Sequence, residues 1–138
     1  HLTPIPIDEE ASSLSAILLD DNYYEFIVAG KSLADGLPLI LQEYLIPLKA
    51  KAHLDLQQRK ETGGRVDSKD IKKHKNDVFR LYQTLSMDTR IQLPETIAAD
   101  FLRFLDDIGQ NPPDLKNLGI KNTPVDVVLQ NLKTIYNL

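Results

Sequence analysis

Five side chains in the middle of the chain have the types and spacing to handle a phosphate-bearing ligand: Lys49, Lys51, Asp70, Lys73 and Asp77. A lysine ammonium is a compact point charge for phosphate oxygens, and a neighbouring carboxylate holds it in place when no ligand is bound. Lys49 and Lys51 stand two apart and so project to different sides of a helix; at least one lies close to the apolar stripe of Leu48 and Ala52. A lysine at such a boundary either snorkels outward or pairs with an anion. Asp70, His74 and Asp77 recur at i, i+4 and i+7 with Lys73 beside them. That spacing puts them on one side of a helix, at the rim of the core, where a cleft can form.

Plainer roles stand next to these. Asp70 follows Asp67 by three residues and can complete a helix cap. His74 on an apolar face reads as a hydrogen-bonded core histidine, and Lys69, Lys72 and Lys75 as a solvated face. A metal centre made from Asp70, His74 and Asp77 alone is not expected, because ligands on a single helix rarely close a coordination sphere.

Charge is unevenly distributed. Residues 45–81 carry ten of the sixteen Lys and Arg against five of the twenty acids, in a chain whose formal net charge is −4. Cations gathered in one helical hairpin of an acidic protein point to an anionic ligand rather than to solubility. A non-catalytic nucleic-acid-binding or protein-interaction domain is the rival reading, but the only aromatics there are Phe79 and, just past the stretch, Tyr82, and both fall where a core would take them. The sequence contains no phosphate loop of the GxxxxGK[ST] form, no GxGxxG, no HExxH and no GxSxG. With no Cys it has no disulfide, thiolate metal site or Cys nucleophile. No apolar run is long enough to cross a bilayer, and a cytoplasmic protein is expected.

The elements that must position these residues divide at about residue 40. Thr3 to Ile7 alternates apolar residues with Pro, Asp20 to Asn22 reads as a turn, and Tyr23 to Ile40 reads as a β-hairpin punctuated by Gly30 and Gly36. From Gln42 the period becomes helical. One helix starts at Pro47 and ends at Gly63-Gly64, a second opens at Asp67-Ser68, a third at Pro94, and a last one at a capping box, Thr123 to Asp126. The expected class is α+β: antiparallel strands over 1–40, then a helical domain of about four helices over 41–138. The chain opens at His1 without an initiator Met and reads as a fragment.

The segments SSLSAILLDDNYY, LIPLKAKAHLDL and VDSKDIKKHKNDVFRL resemble the C-terminal half of nucleotidyltransferase-like proteins of the AbiEii toxin type, in the polymerase-β-like superfamily, over residues 1 to about 86. The resemblance implies a parent protein that moves a nucleoside monophosphate from a nucleoside triphosphate (NTP) to an acceptor such as a tRNA or a protein hydroxyl, using Mg2+. It also implies an antitoxin as a candidate partner. The 1–40 strands would be the end of the catalytic palm, whose free edges would favour homo-oligomers. The metal-binding Asp-x-Asp pair of the family does not occur in this sequence, so no catalytic residue and no cofactor is expected in this chain alone. What it would supply is the lysine that contacts the triphosphate, best matched by Lys49 with Lys51 as the alternative, and the polar helix motif, matched by Asp77 with Asp70 second. The usual R-D-x-x-D form departs here: Asn76 precedes Asp77, and Arg80 stands where a second acid would be.

Overall fold

The computed structural model describes residues 14–34 and 37–138. The first element after a helical turn at 14–17 is helix α1, Asp21–Ala29, where a strand was expected. The Asp20 carboxylate accepts from the backbone N–H groups of Asn22 at 2.8 Å and Tyr23 at 3.4 Å, so the acidic pair that reads as a turn is a helix N-cap. Tyr23, Phe26 and Ile27 are the buried residues of this helix, and their i, i+3, i+4 spacing is helical. Aromatic and β-branched content suggested a strand, but the spacing decided for a helix.

Gly30 is the C-cap of α1, and the position requires glycine because a Cβ there would collide with the Tyr44 side chain. Phe26 and Tyr44 close over this point with ring centroids 4.8 Å apart. A short antiparallel hairpin follows, β1 (Lys31–Ala34) with β2 (Leu37–Ile40), in the register Lys31 to Ile40. Among the described residues this two-stranded ribbon is the whole of the sheet. The α+β expectation of an N-terminal palm remnant is therefore overturned: among the described residues up to Ile40, helix α1 and one hairpin of two four-residue strands stand where a strand region was expected. The expected strand at Thr3 to Ile7 lies outside the described residues.

Four longer helices complete the chain: α2 (Gln42–Glu61), α3 (Ser68–Tyr82), α4 (Glu95–Gln110) and α5 (Val125–Ile135). Helix α2 begins five residues before Pro47, which lies inside it and is buried. Proline has no N–H, so the Glu43 carbonyl one turn back loses its helical donor. The Tyr136 hydroxyl, just past the end of α5, donates to that carbonyl at 2.6 Å. A helix-breaking residue is thus accommodated by a side chain 93 residues along the chain from the carbonyl it satisfies. Gly63 at φ +91° and the Gly64 N–H bonded to the Arg59 carbonyl at 2.8 Å stop α2.

Asp67 caps α3 through the Lys69 N–H at 2.9 Å. The expected capping box at α5 does not form: Pro124 is the N-cap and no side chain bonds to it. Helix α2 is central, packing along α3 and against α4 and α1. The core between them holds Ile46, Leu56, Phe79, Phe101, Phe104, Leu132 and Tyr136, all essentially inaccessible. Each such apolar side chain contributes about 1.5–3 kcal/mol by leaving water. No described helix is long and apolar enough to cross a membrane.

Candidate functional site at the α2–α3 crevice

Lys49 and His53 are one helical turn apart on the side of α2 that faces α3. Because α2 and α3 run antiparallel, the first turns of one meet the last turns of the other. Lys49 Nζ donates to Asp77 Oδ2 at 3.0 Å. The second oxygen of Asp77 accepts from Arg80 Nη1 at 3.1 Å, so two cations converge on one carboxylate. The side chains of Lys49 and Asp77 are only 13% and 18% exposed. A pair so withdrawn from water interacts far more strongly than one on an open surface.

Four residues further along α2, His53 is almost fully buried with its ring edge-on to Phe104, centroids 5.6 Å apart. Its Nδ1 stands 2.8 Å from the Ile71 carbonyl and its Nε2 3.2 Å from Asp107 Oδ2. The carbonyl can only accept, so Nδ1 carries a proton. Nε2 faces the Asp107 carboxylate of α4. His53 thereby ties α3 and α4 to α2.

Lys51 projects to the other side of α2, as the two-residue spacing requires. It pairs with Asp55 at 3.1 Å and with Asp100 of α4 at 3.8 Å. Asp100 also accepts from the Tyr23 hydroxyl at 2.8 Å and from Arg103 Nη2 at 2.8 Å. Burial, then the hydrogen bond and charge of Asp100, raise the Tyr23 phenol well above its ordinary pKa. Burial likewise raises Tyr136, with the Glu43 carboxylate adding to it.

Of the five residues singled out from the sequence, the structure brings together Lys49 and Asp77. Lys51 belongs to a separate cluster 200° around α2. Asp70 is half-buried in the first turn of α3, where Asp67 does the capping, and Lys73 lies on the exposed side of that helix. His74 is fully buried. Among the described residues no group of three or more His, Asp or Glu is placed to hold a metal ion.

Sequence reasoning missed His53, Asp100, Asp107 and Tyr23. The signal for His53 was available, since it follows the buried Ala52 and sits one turn after Lys49. Asp100 and Asp107 lie seven apart on one face of α4, but their partners are fixed only by tertiary packing. No family model, characterised protein or solved structure matches this chain.

Proposed function

We propose that this chain is a nucleotide-handling helical domain of a nucleotidyltransferase-like protein, in which the α2–α3 crevice holds the triphosphate through Lys49. The observation that carries the reading is the Lys49–Asp77 contact at 3.0 Å. The resemblance nominates these two residues from separate segments, and the fold packs those segments so that the two side chains meet. Asp77 acts as a placeholder. When a triphosphate oxygen takes the Lys49 ammonium, Arg80 remains on the second oxygen of Asp77, so the half-buried carboxylate is not left unpaired.

A triphosphate contact of this kind positions the leaving diphosphate and stabilises its developing charge. These residues do not fit a magnesium site, because Asp77 and Asp100 each already face two cations. The reading therefore assigns nucleotide holding to this chain and routes no step through a metal bound to it. The transfer chemistry, its acceptor and any antitoxin belong to the parent protein that the resemblance implies.

The test is calorimetric titration of the chain with ATP, GTP, CTP and UTP, each with magnesium. At least one should bind saturably, and Lys49→Ala should weaken it by about 1.5–3 kcal/mol, the range for a charge-assisted hydrogen bond. Lys51→Ala should leave it unchanged. Absence of binding by all four, or loss through Lys51→Ala alone, refutes the reading.

A further inference from the structure

A groove distinct from the Lys49 crevice lies between α3 and the loop that joins α4 to α5. Its volume is about 370 Å³, within the usual range for small-molecule sites, about 300–1,000 Å³. One wall is α3, which contributes Lys72, Lys75, Asn76 and Arg80. These positions lie within two and a half turns on one side of the helix, so the three cations face the same space. Among the described residues Lys72 and Lys75 have no ion-pair partner, and only Arg80 is engaged, with Asp77. The expectation that Lys72 and Lys75 merely form a solvated face omitted the loop that rises opposite them.

That loop supplies a wall of different chemistry. Pro112, Pro113 and Leu118 are apolar, and Asp114 and Asn117 are polar. The loop is held in place rather than draped. Gln83 Nε2 donates to the Leu118 carbonyl at 2.7 Å and to the Phe79 carbonyl at 3.2 Å, which fastens the loop to the end of α3. The Ile120 N–H bonds back to the Leu115 carbonyl at 2.9 Å, and the Ile120 side chain is buried. Asp114 is oriented by Asn117, which donates to it through Nδ2 at 2.7 Å and through its backbone N–H at 3.3 Å. A groove formed before any ligand arrives loses little free energy to ordering.

The two walls select a ligand with two ends. A bare polyphosphate would meet an apolar surface and the Asp114 carboxylate on its second side, both unfavourable. A purely apolar ligand would leave Lys72 and Lys75 unused. We propose that the groove binds a nucleoside phosphate. Its phosphate is held by Lys72, Lys75 and Arg80. Its sugar and base lie along Pro112, Pro113 and Leu118, where Asp114 accepts from ribose hydroxyls or an exocyclic amine and Asn117 supplies an amide. Neither Lys49 nor Lys51 lines the groove, so the proposal rests on Lys72 and Lys75, with Arg80, bonded to Asp77, shared between the groove and the Lys49 crevice.

The source of the nucleoside phosphate is either a free nucleotide or the end of a single strand, and the experiment separates them. Amide chemical shifts of the full chain are followed during titration with AMP, CMP, inorganic phosphate and a 5′-phosphorylated hexaribonucleotide. A mononucleotide should shift the amides of Lys72, Lys75 and Asn117 and bind at least tenfold more tightly than inorganic phosphate. Lys72→Gln with Lys75→Gln should weaken it at least tenfold, while Asp114→Asn should weaken the nucleotide and tighten inorganic phosphate. Tighter binding of the hexanucleotide assigns the groove to a strand end, and equal binding assigns it to the free nucleotide. All the substituted side chains are at the surface or half-buried, and a dichroism spectrum confirms folding. A nucleotide that binds no better than phosphate, or equally well to the double variant, overturns the proposal.

Discussion

Replacing Tyr136 by Phe removes one oxygen atom from a fully buried ring and leaves the Glu43 carbonyl without its donor. The carbonyl cannot recover a helical bond, because the residue one turn on is Pro47. An unsatisfied buried acceptor costs about 1–3 kcal/mol, and the loss here should lie near 2 kcal/mol. The ring itself stays packed on Phe101, with centroids 4.9 Å apart, so no cavity term is added. Pro47→Ala restores an N–H that can reach the Glu43 carbonyl. In that background Tyr136→Phe should cost less than half as much, giving a coupling of about 1 kcal/mol or more between residues far apart in sequence. Urea unfolding of the four proteins, followed by circular dichroism, measures the coupling directly. Whether Pro47→Ala alone raises or lowers stability does not matter, since the cycle cancels it. A Tyr136→Phe cost below about 0.3 kcal/mol, or an equal cost in both backgrounds, refutes the account of how α2 tolerates its proline.

Other expectations follow from the same contacts. Tyr23 and Tyr136 both titrate above their ordinary value in the fold, so the unfolded chain loses these protons first. Their contribution is intact below pH about 10 and is lost as pH rises beyond it, at up to about 1.4 kcal/mol per pH unit for each tyrosine; urea midpoints between pH 9 and 11 should fall steeply in the native protein and less so with Tyr23→Phe. His53→Ala should cost about 3 kcal/mol in thermal or urea unfolding, from lost packing on Phe104 and from losing the two contacts that join α2 to the Ile71 carbonyl and to Asp107. Gly30→Ala should destabilise by about 1–3 kcal/mol through the forced contact with Tyr44, and shortening Tyr44 in the same protein should recover part of it.

The helical period from Gln42 onward was legible, and with it the placement of Lys49 and Asp77 on facing helices. What hid α1 was competition between two local signals. Asp20 to Asn22 suits a turn or a helix cap equally well, and the choice rested on Tyr23, Phe26 and Ile27 finding a common buried face. Pro47 misplaced the start of α2 for a related reason. Local preference puts proline in a first turn, whereas here the missing hydrogen bond is supplied by Tyr136 from the other end of the chain. His74 drew attention because carboxylates flank it in sequence, yet His53 carries the interhelical bonds. Its partners, the Ile71 carbonyl and Asp107, come from two other helices, and nothing in the local pattern of α2 identifies them. Lys72 and Lys75 looked like a solvated face because the Pro112 to Leu118 loop that walls them lies some forty residues downstream.

The central claim is that Lys49, held on Asp77, is the triphosphate contact. Titrating the chain with the magnesium complexes of the four NTPs, in native, Lys49→Ala, Lys51→Ala and Asp77→Asn forms, tests it most directly. The account predicts saturable binding that Lys49→Ala weakens roughly tenfold to a hundredfold, that Lys51→Ala leaves intact, and that Asp77→Asn strengthens by releasing the ammonium from its placeholder. Binding that is absent in the native protein, or unaffected by Lys49→Ala, contradicts it.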